Sequence, residues 1–381
     1  MLAKSVEEAW TALPFELRTE AAKNTLHYVF ESIGHRCLLI VKHMKDLFQI
    51  QLRPNKISNH YRKFLPKTLK KKSNVRLLNC IIKEFKPEEE EFGTFTVFKE
   101  YEKAGYTIPT GVYLVSPTDA LIYRKNFKDP FYHVTGSTTS PIPLKHPLLP
   151  ILAMSGHKDY LDVPIINYDD IDYVRGKTPV DMSKVELDFF KKKPMAIFRG
   201  GSTGCGWTAA TNPRLKAVQL SKAHPDLLDA QLTQITSAMK IHTRRAGRVN
   251  PKEFKVGKFI PFEDQSQYKY ILHLDGNVAA YRLAKSMLLG SVILLQESGS
   301  TLWFQHLLKP YVHYVPVKDD LNDVMKQIEW CNRHEKECET IAKTARTLAV
   351  KVLTKESMFH ELERALTIAR TIANTNGKKE K

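Results

Sequence analysis

The stretch from Tyr268 to Leu283 constrains this chain most, because a short, largely apolar run, Tyr270–Leu274, meets Asp275, Gly276 and Asn277 and then a helix-forming segment. The apolar run is too short for a core helix and reads as a buried strand. Gly276 permits a left-handed turn, and Asn277 is suited to cap a helix predicted from Val278 to about Leu289. Strand, tight turn and helix in that order turn unpaired N–H groups and a positive dipole end toward the space above the strand. Arg282, one turn into that helix, adds a forked and permanently charged donor suited to a phosphate. An ordinary strand-turn-helix with no ligand is the alternative reading of the same residues.

The second half of the chain repeats this alternation. Strands are predicted at 195–198, 268–274, 292–296 and 313–317, with helices near 213–222, from Val278, and from Leu321 onward. Alternating strands and helices imply a parallel sheet covered on both faces, with ligands at the carboxyl ends of the strands. In the first half, strands are predicted at 111–115 and 163–167, and Cys37–Val41 reads as a buried helix turn or strand. Phe15, Leu17, Leu26, Val29, Phe30 and Ile33 recur at helical spacing. The expected organisation is a helical and basic N-terminal extension over 1–90, an acceptor-side domain over 91–190, a nucleotide-binding domain over 191–350, and a packing helix with a basic tail over 351–381. Met358, Phe359, Leu362, Leu366, Ala369 and Ile372 share one face of that last helix.

Composition narrows the partners. A net charge of +17 in 381 residues calls for an anionic partner, which nucleic acid, an anionic glycan, a membrane surface or a nucleotide-linked substrate would satisfy equally. Residues 53–86 hold eleven Lys/Arg against one Glu, and 240–258 hold seven Lys/Arg. Neither run interleaves aromatics at a stacking rhythm, and no nucleic-acid-binding signature is present, so solvated basic surface is preferred to nucleic-acid binding. The five cysteines are scattered without CxxC spacing, and there is no Asn-x-Ser/Thr sequon. Together with the lack of a signal-like start, this predicts reduced thiols and a cytoplasmic chain, host cytoplasm if the source is a virus. No apolar run approaches the ~20 residues that span a bilayer.

A second candidate site comes after the strand ending at Phe198. Gly200, Gly201 and Gly204 let backbone approach a ligand, Ser202 and Thr203 offer hydroxyls, and Arg214 stands near the start of the next helix. The P-loop pattern is absent, and a plain strand-end turn is the alternative. Arg214 and Arg282 thus each stand beyond the end of a different predicted strand, and a diphosphate between them fits both. Glu297, after the strand at 292–296, is a candidate ribose contact. His313 reads as a core histidine, and Asp226 and Asp229 as capping or local structure.

Phe198–Gly200, Asn212–Arg214, Pro225–Ala230, Tyr268–Tyr270, Asp275–Asn277, Tyr281–Leu283, Gly290–Val292 and Leu308–Val317 resemble the signature of glycosyltransferase family 90. That family includes capsule-associated xylosyltransferases, lipopolysaccharide-modifying enzymes, protein O-glucosyltransferases and KDEL-motif proteins. The resemblance covers about 110–350. It implies an α/β fold of GT-B type, with two Rossmann-like domains facing a cleft, and inverting transfer of xylose or glucose from a UDP-sugar to a glycan or glycoprotein hydroxyl. No metal or other cofactor is implied. Carried onto this sequence, the donor site comprises Gly201, Ser202, Thr203, Arg214, Asn277, Val278, Ala279, Ala280, Tyr281 and Arg282. The base is Asp119, after the strand at 111–115, with Asp169 and Asp170 as runners-up; Asp119 is also suited to a turn or helix cap. Two departures stand out. Protein O-glucosyltransferases carry a serine after Phe-Arg-Gly where this chain has Gly201 and then Ser202, and a proline and a threonine precede Asp119 where they have Val-Arg-Asp-Tyr-Pro. The form of residues 200–206 resembles members from large DNA viruses of algae. A basic nucleic-acid- or glycan-binding protein without transferase activity is the competing reading.

Overall fold

The structure is a computed structural model that describes residues 1–54, 93–125, 148–236, 240–242 and 245–377. The basic run at 53–86 beyond residue 54, the acidic stretch after it and most of the loop predicted at 135–150 fall outside the described residues. The chain divides into two compact units. The first is built mainly of Met1–Ile166 and the residues from Phe359 onward; the second is Asn167–His242 with Gly247–Met358.

The first unit begins with β1 (Leu2–Ala3) and two short helices, α1 (Val6–Thr11) and α2 (Glu20–His27), capped by Ser5 and Thr19. α2 runs into a π-helical turn at Tyr28–Ile33 that closes on Gly34 at φ 67. The helical spacing of the first thirty-odd residues is therefore real, but within the extension expected over 1–90 the residues Cys37–His43 and Asp46–Leu52 are strands. β2 (Cys37–His43) and β3 (Asp46–Leu52) form an antiparallel hairpin, registered from Cys37↔Leu52 to His43↔Asp46. β2 is buried almost throughout, so its apolar run lacks the alternation that marks a half-exposed strand. β2 also pairs antiparallel with β4 (Gly111–Ser116), which continues in parallel to β5 (Ile151–Ala153) and β6 (Val163–Pro164). The predicted strand at 163–167 stops early because Asn167 caps the next helix. The sheet order is β1-β3-β2-β4-β5-β6. Beside it, α3 (Gly93–Lys103) buries Phe95, Phe98 and Tyr101, and the Tyr101 ring stacks on Tyr106 and meets Phe359 edge-on at 5.7 Å. That contact places the C-terminal helix in this unit's core, with Phe359, Leu362, Leu366 and Ala369 buried.

The second unit opens with α4 (Tyr168–Val174) and holds a five-stranded, wholly parallel sheet. In chain order its elements are β7 (Lys193–Gly201), α5 (Pro213–Ala223), β8 (Leu228–Gln234), β9 (Tyr268–His273), α6 (Leu283–Leu288), β10 (Val292–Glu297), β11 (Val315–Lys318), α7 (Val324–Arg333) and α8 (Glu335–Val352). α9 (Lys355–Gly377) starts here and belongs to the first unit from Phe359. The sheet order is β11-β10-β9-β7-β8, which counted within the unit is 5-4-3-1-2. The order reverses between β7 and β9, and a doubly wound sheet opens its ligand crevice at that point, beyond the carboxyl ends of the two strands. The core beneath it is apolar: Phe198, Tyr270, Leu272, Val292, Leu294, Val315 and Val317 cluster with Ile328 and Ile341 from the covering helices. β11 begins at Val315, so His313 lies in the preceding turn, half-buried, with Nδ1 accepting from the Lys309 amide, and is not a core residue. α7 begins at Val324, three residues later than predicted.

Candidate functional site at the switch point

Two turns meet where the strand order reverses. The first, Ser202–Gly206, leaves β7. Gly204 and Gly206 adopt φ values of 103 and 80, and a Cβ on Gly206 would collide with Thr211, so this turn requires glycine at both places. Asn212 holds its far side. The Asn212 Oδ1 accepts from the Arg214 amide at 3.0 Å while its Nδ2 donates to the carbonyls of Ser202, Thr203 and Gly206. The second turn, Asp275–Arg282, leaves β9. Its half-buried Asp275 carboxylate accepts from the Ala280 amide at 3.0 Å and from Ser298 Oγ. Burial pushes the Asp275 pKa up against those bonds and the Arg214 charge. Asn277 joins the two turns, its Oδ1 accepting from the Gly204 amide at 3.1 Å.

That bond corrects one expectation. Asn277 does not cap a helix; its side chain is spent 73 residues away, and α6 starts only at Leu283, with Arg282 as the residue before it. The segment 276–280 is irregular. No helix dipole acts at Val278, and the cradle is made of bare backbone. Among the described residues, the amides of Asn277, Val278 and Ala279 have no acceptor. Successive amides left without acceptors are the raw material of an anion-binding concavity.

The two arginines differ sharply. Arg214 is nearly buried, and four of its five N–H donors are engaged: Nε donates to the Asp275 carbonyl at 2.8 Å, Nη1 to the Gly201 carbonyl and to Thr203 Oγ1, and Nη2 to the Leu274 carbonyl at 2.9 Å. It ties the end of β7 to the end of β9. Arg282 has no hydrogen-bond or ion-pair partner among the described residues. Burial lowers its pKa, and Asp169, in the first turn of α4, is the charge that opposes the shift. Both guanidinium carbons lie 5.8 Å from the centroid of the Phe198 ring, within cation–π range. Gly200 leaves room for this, since a Cβ there would stand 3.4 Å from Arg282 Nη2 and closer still to Phe198.

His273, at the end of β9, sits beneath this charge. Its Nε2 lies 3.2 Å from the Ala280 carbonyl, and its Nδ1 has no partner among the described residues. Burial first, then Arg282 and Arg214, push its pKa down to about 3, so the ring is neutral at ordinary pH.

Gly201, Ser202, Thr203, Arg214, Asn277, Val278, Ala279, Ala280, Tyr281 and Arg282 therefore come together at the switch point, though not all in the expected roles. Ser202 is fully buried, its Oγ accepting from the Thr236 amide at 3.0 Å, and it anchors the turn instead of presenting a hydroxyl. Thr203 Oγ1 accepts from Arg214. Glu297 is exposed at the end of the neighbouring strand. Asp170 is buried, its Oδ2 accepting from Trp303 Nε1 at 2.8 Å and Asn167 Nδ2 at 2.7 Å, and burial pushes its pKa up to about 7. Those bonds make it a structural group. Asp226 is exposed, whereas Asp229 pairs with Arg199 at 2.7 Å and accepts from Tyr268 Oη at 3.1 Å. Asp119 belongs to the first unit, on an exposed turn after β4. That turn is held by Ser116 Oγ donating to the Ala120 carbonyl at 3.1 Å and by a 3.3 Å contact of Thr118 Oγ1 with buried His35. Sequence reasoning misses His273, Asp275 and the double hold of Asn212; Asp275–Asn277 reads as a turn, and nothing local shows that its carboxylate points inward. Among the described residues no group of His, Cys, Asp or Glu is arranged to hold a metal ion, and no helix is long and apolar enough to cross a membrane.

An open parallel sheet with glycine turns and a reversal of strand order defines the class: a doubly wound α/β protein, whose kind binds ligands at the switch point. The sequence profile of Glycosyl transferase family 90 matches residues 139–367, and the chain belongs to that family. It is 31% identical over 269 residues to protein 035R of Invertebrate iridescent virus 3, covering 67% of this chain and 24% of that one. It is also 31% identical over 219 residues to human protein O-glucosyltransferase 3, covering 55% of this chain and 40% of the human protein. The chain thus spans less than half the length of these relatives. Among solved structures, Anabaena HepE in complex with UDP and glucose matches at 12% identity and a TM-score of 0.32, over 58% of this chain and 63% of that one; a likeness at that level decides nothing further. The α/β architecture with two sheet-bearing units agrees with the expected GT-B class.

Proposed function

We propose that the chain is an inverting glycosyltransferase that moves a sugar from a UDP donor to a hydroxyl of a glycan or glycoprotein. The observation that carries this is the Arg282 guanidinium: half-buried, unpaired among the described residues, and set beside bare amides where a doubly wound sheet binds ligands. An arginine desolvated without a partner is costly unless an anion completes it. A departing diphosphate is such an anion, and stabilising charge as it develops is what a preorganised donor set does best.

In this scheme the acceptor oxygen attacks the anomeric carbon from the face opposite the diphosphate. The acceptor's proton passes to the Asp119 carboxylate, the bond from the anomeric carbon to the diphosphate oxygen breaks, and UDP leaves with its new negative charge at Arg282. Arg214 shapes the cradle and Asn277 fixes its second turn. The cation in the scheme is a side chain, so no metal ion enters it. Glu297 is the candidate ribose contact. Similarity to a protein named as an O-glucosyltransferase favours glucose as the donor sugar, with xylose as the competing one. The described cysteines are free thiols, in keeping with a cytoplasmic site of action.

The test is UDP release from UDP-glucose and UDP-xylose, with UDP affinity measured by calorimetry. Turnover of either donor supports the reading. A chain that binds no UDP and releases none from any nucleotide sugar overturns it and leaves the basic binding protein as the alternative.

A further inference from the structure

Lys240 lies just beyond the segment after β8, and its ammonium is brought to the glycine turn. It is only 8% exposed, and its Nζ donates to the Ser202 carbonyl, the same oxygen that Asn212 Nδ2 reaches at 3.4 Å. An ammonium carries three donors. No other acceptor meets this one among the described residues, and residues 237–244 contain no Asp or Glu. The charged and titratable groups that act on it are Arg214 and Cys205. Arg214 is a second cation, with four of its five N–H donors already on protein acceptors. Burial pushes the Cys205 thiol up to about 12, so it supplies no negative charge near neutral pH. A buried cation next to another cation, with spare donors and no carboxylate, is unfavourable in the empty protein. A phosphate in the cradle removes that penalty.

We propose that Lys240 is a further binding residue of the diphosphate site, and that it takes up a proton when a nucleoside diphosphate binds. This rests on the reading of the switch point as the donor site. Burial first, then Arg214, push the Lys240 pKa down to about 8, so slightly above that pH the empty protein carries it largely neutral. A nearby phosphate favours the charged form and raises the pKa again. Binding and protonation are then linked. The UDP phosphates are fully ionised at this pH and take up no proton themselves.

The experiment is UDP titration by calorimetry at pH 8.5 and pH 7.0, each in two non-phosphate buffers of different ionisation enthalpy. The wild type is expected to take up on the order of half a proton or more per UDP at pH 8.5 and much less at pH 7.0, where Lys240 is already charged. Lys240→Met should lose that uptake and bind UDP about tenfold or more weakly. Lys240→Arg, which keeps the charge but does not titrate, should lose the uptake and hold affinity within about threefold. Circular dichroism and thermal melts of both variants confirm folding; if Lys240→Met does not fold, Lys240→Arg alone decides, because retained proton uptake there overturns the proposal. Unchanged uptake or unchanged affinity in a folded Lys240→Met overturns it too, while leaving the donor site standing. A wild-type chain that binds no UDP overturns the donor site itself, and this inference with it.

Discussion

The start of α5 and the residue before α6 each bring an arginine to 5.8 Å from the same phenylalanine ring, yet Arg214 has four of its five N–H donors on protein oxygens, and Arg282, among the described residues, has no such acceptor. The difference separates two tasks that sequence motifs merge. A guanidinium that grips carbonyls from two strand ends fixes where a ligand can lie; one left unpaired beside them supplies the charge that the ligand feels. If this division holds, removing Arg214 costs structure and binding together, whereas removing Arg282 costs binding alone.

The largest expected effect comes from the engaged arginine. Arg214→Ala leaves the carbonyls of Gly201, Leu274 and Asp275 without that donor in a nearly buried place, and should destabilise the protein by about 3–5 kcal/mol in denaturant titration. UDP binding should fall below detection. Arg214→Lys keeps the charge but cannot span two strands, and should recover little of either. Wild-type stability in Arg214→Ala would erase the contrast between the two arginines.

Next in size is a control from the other unit. Asp119→Asn should lower kcat by about 10²–10⁴ in a UDP-glucose transfer assay, with UDP affinity within about twofold of wild type and an unchanged melt. Full activity in that variant would remove Asp119 as the base, and Asp169 on α4 would be the next carboxylate to replace.

Arg282→Ala should be smaller in binding energy and opposite in stability. Losing a charge-assisted contact to phosphate weakens UDP binding by about 2–3 kcal/mol, read by calorimetry. Folding stability should hold or rise by up to about 1 kcal/mol, because a half-buried cation without a partner among the described residues disappears. A marked loss of stability would mean that Arg282 is also a structural clamp.

The sequence shows where these arginines stand but not what they hold. Arg214 stands beyond one strand end and Arg282 beyond another, and both positions are visible in the alternation of strands and helices. The acceptors of Arg214 lie 60 and 61 residues away at Leu274 and Asp275, and no local pattern reports a contact of that span. The same reason accounts for Asn277. Its capping propensity is real, but the Gly204 amide recruits its side chain across the switch point, and tertiary contact overrides local preference. Some of the family signature is also fold rather than chemistry. Arg199, Asp229 and Tyr268, from three separate motif pieces, meet in one knot of hydrogen bonds. Burial is the hardest property to read. Lys240 sits within a run whose composition reads as solvated basic surface, and β2 lacks the alternation that would mark it as a strand.

The smallest effect sharpens the contrast from a different side. The wall beside Arg282 includes α4, where Asp169 acts on the guanidinium and Asp170 is locked to Trp303. Burial raises the Asp170 pKa to about 7, well above the ordinary aspartate value, so between those values the folded state holds more protons than the unfolded one. Stability contributed by protonated Asp170 is therefore present at low pH and lost as pH rises through about 7. Asp170→Asn keeps an oxygen to accept from Trp303 and cannot ionise. It should flatten that part of the stability profile between about pH 4 and 7, and by about pH 8 should be at least as stable as wild type in denaturant titrations. UDP affinity should stay within about threefold, because Asp169 remains in place. If UDP affinity instead collapses in this folded variant, Asp170 is part of what sets Arg282 for its anion, and the unpaired arginine depends on α4 as much as Arg214 depends on its carbonyls.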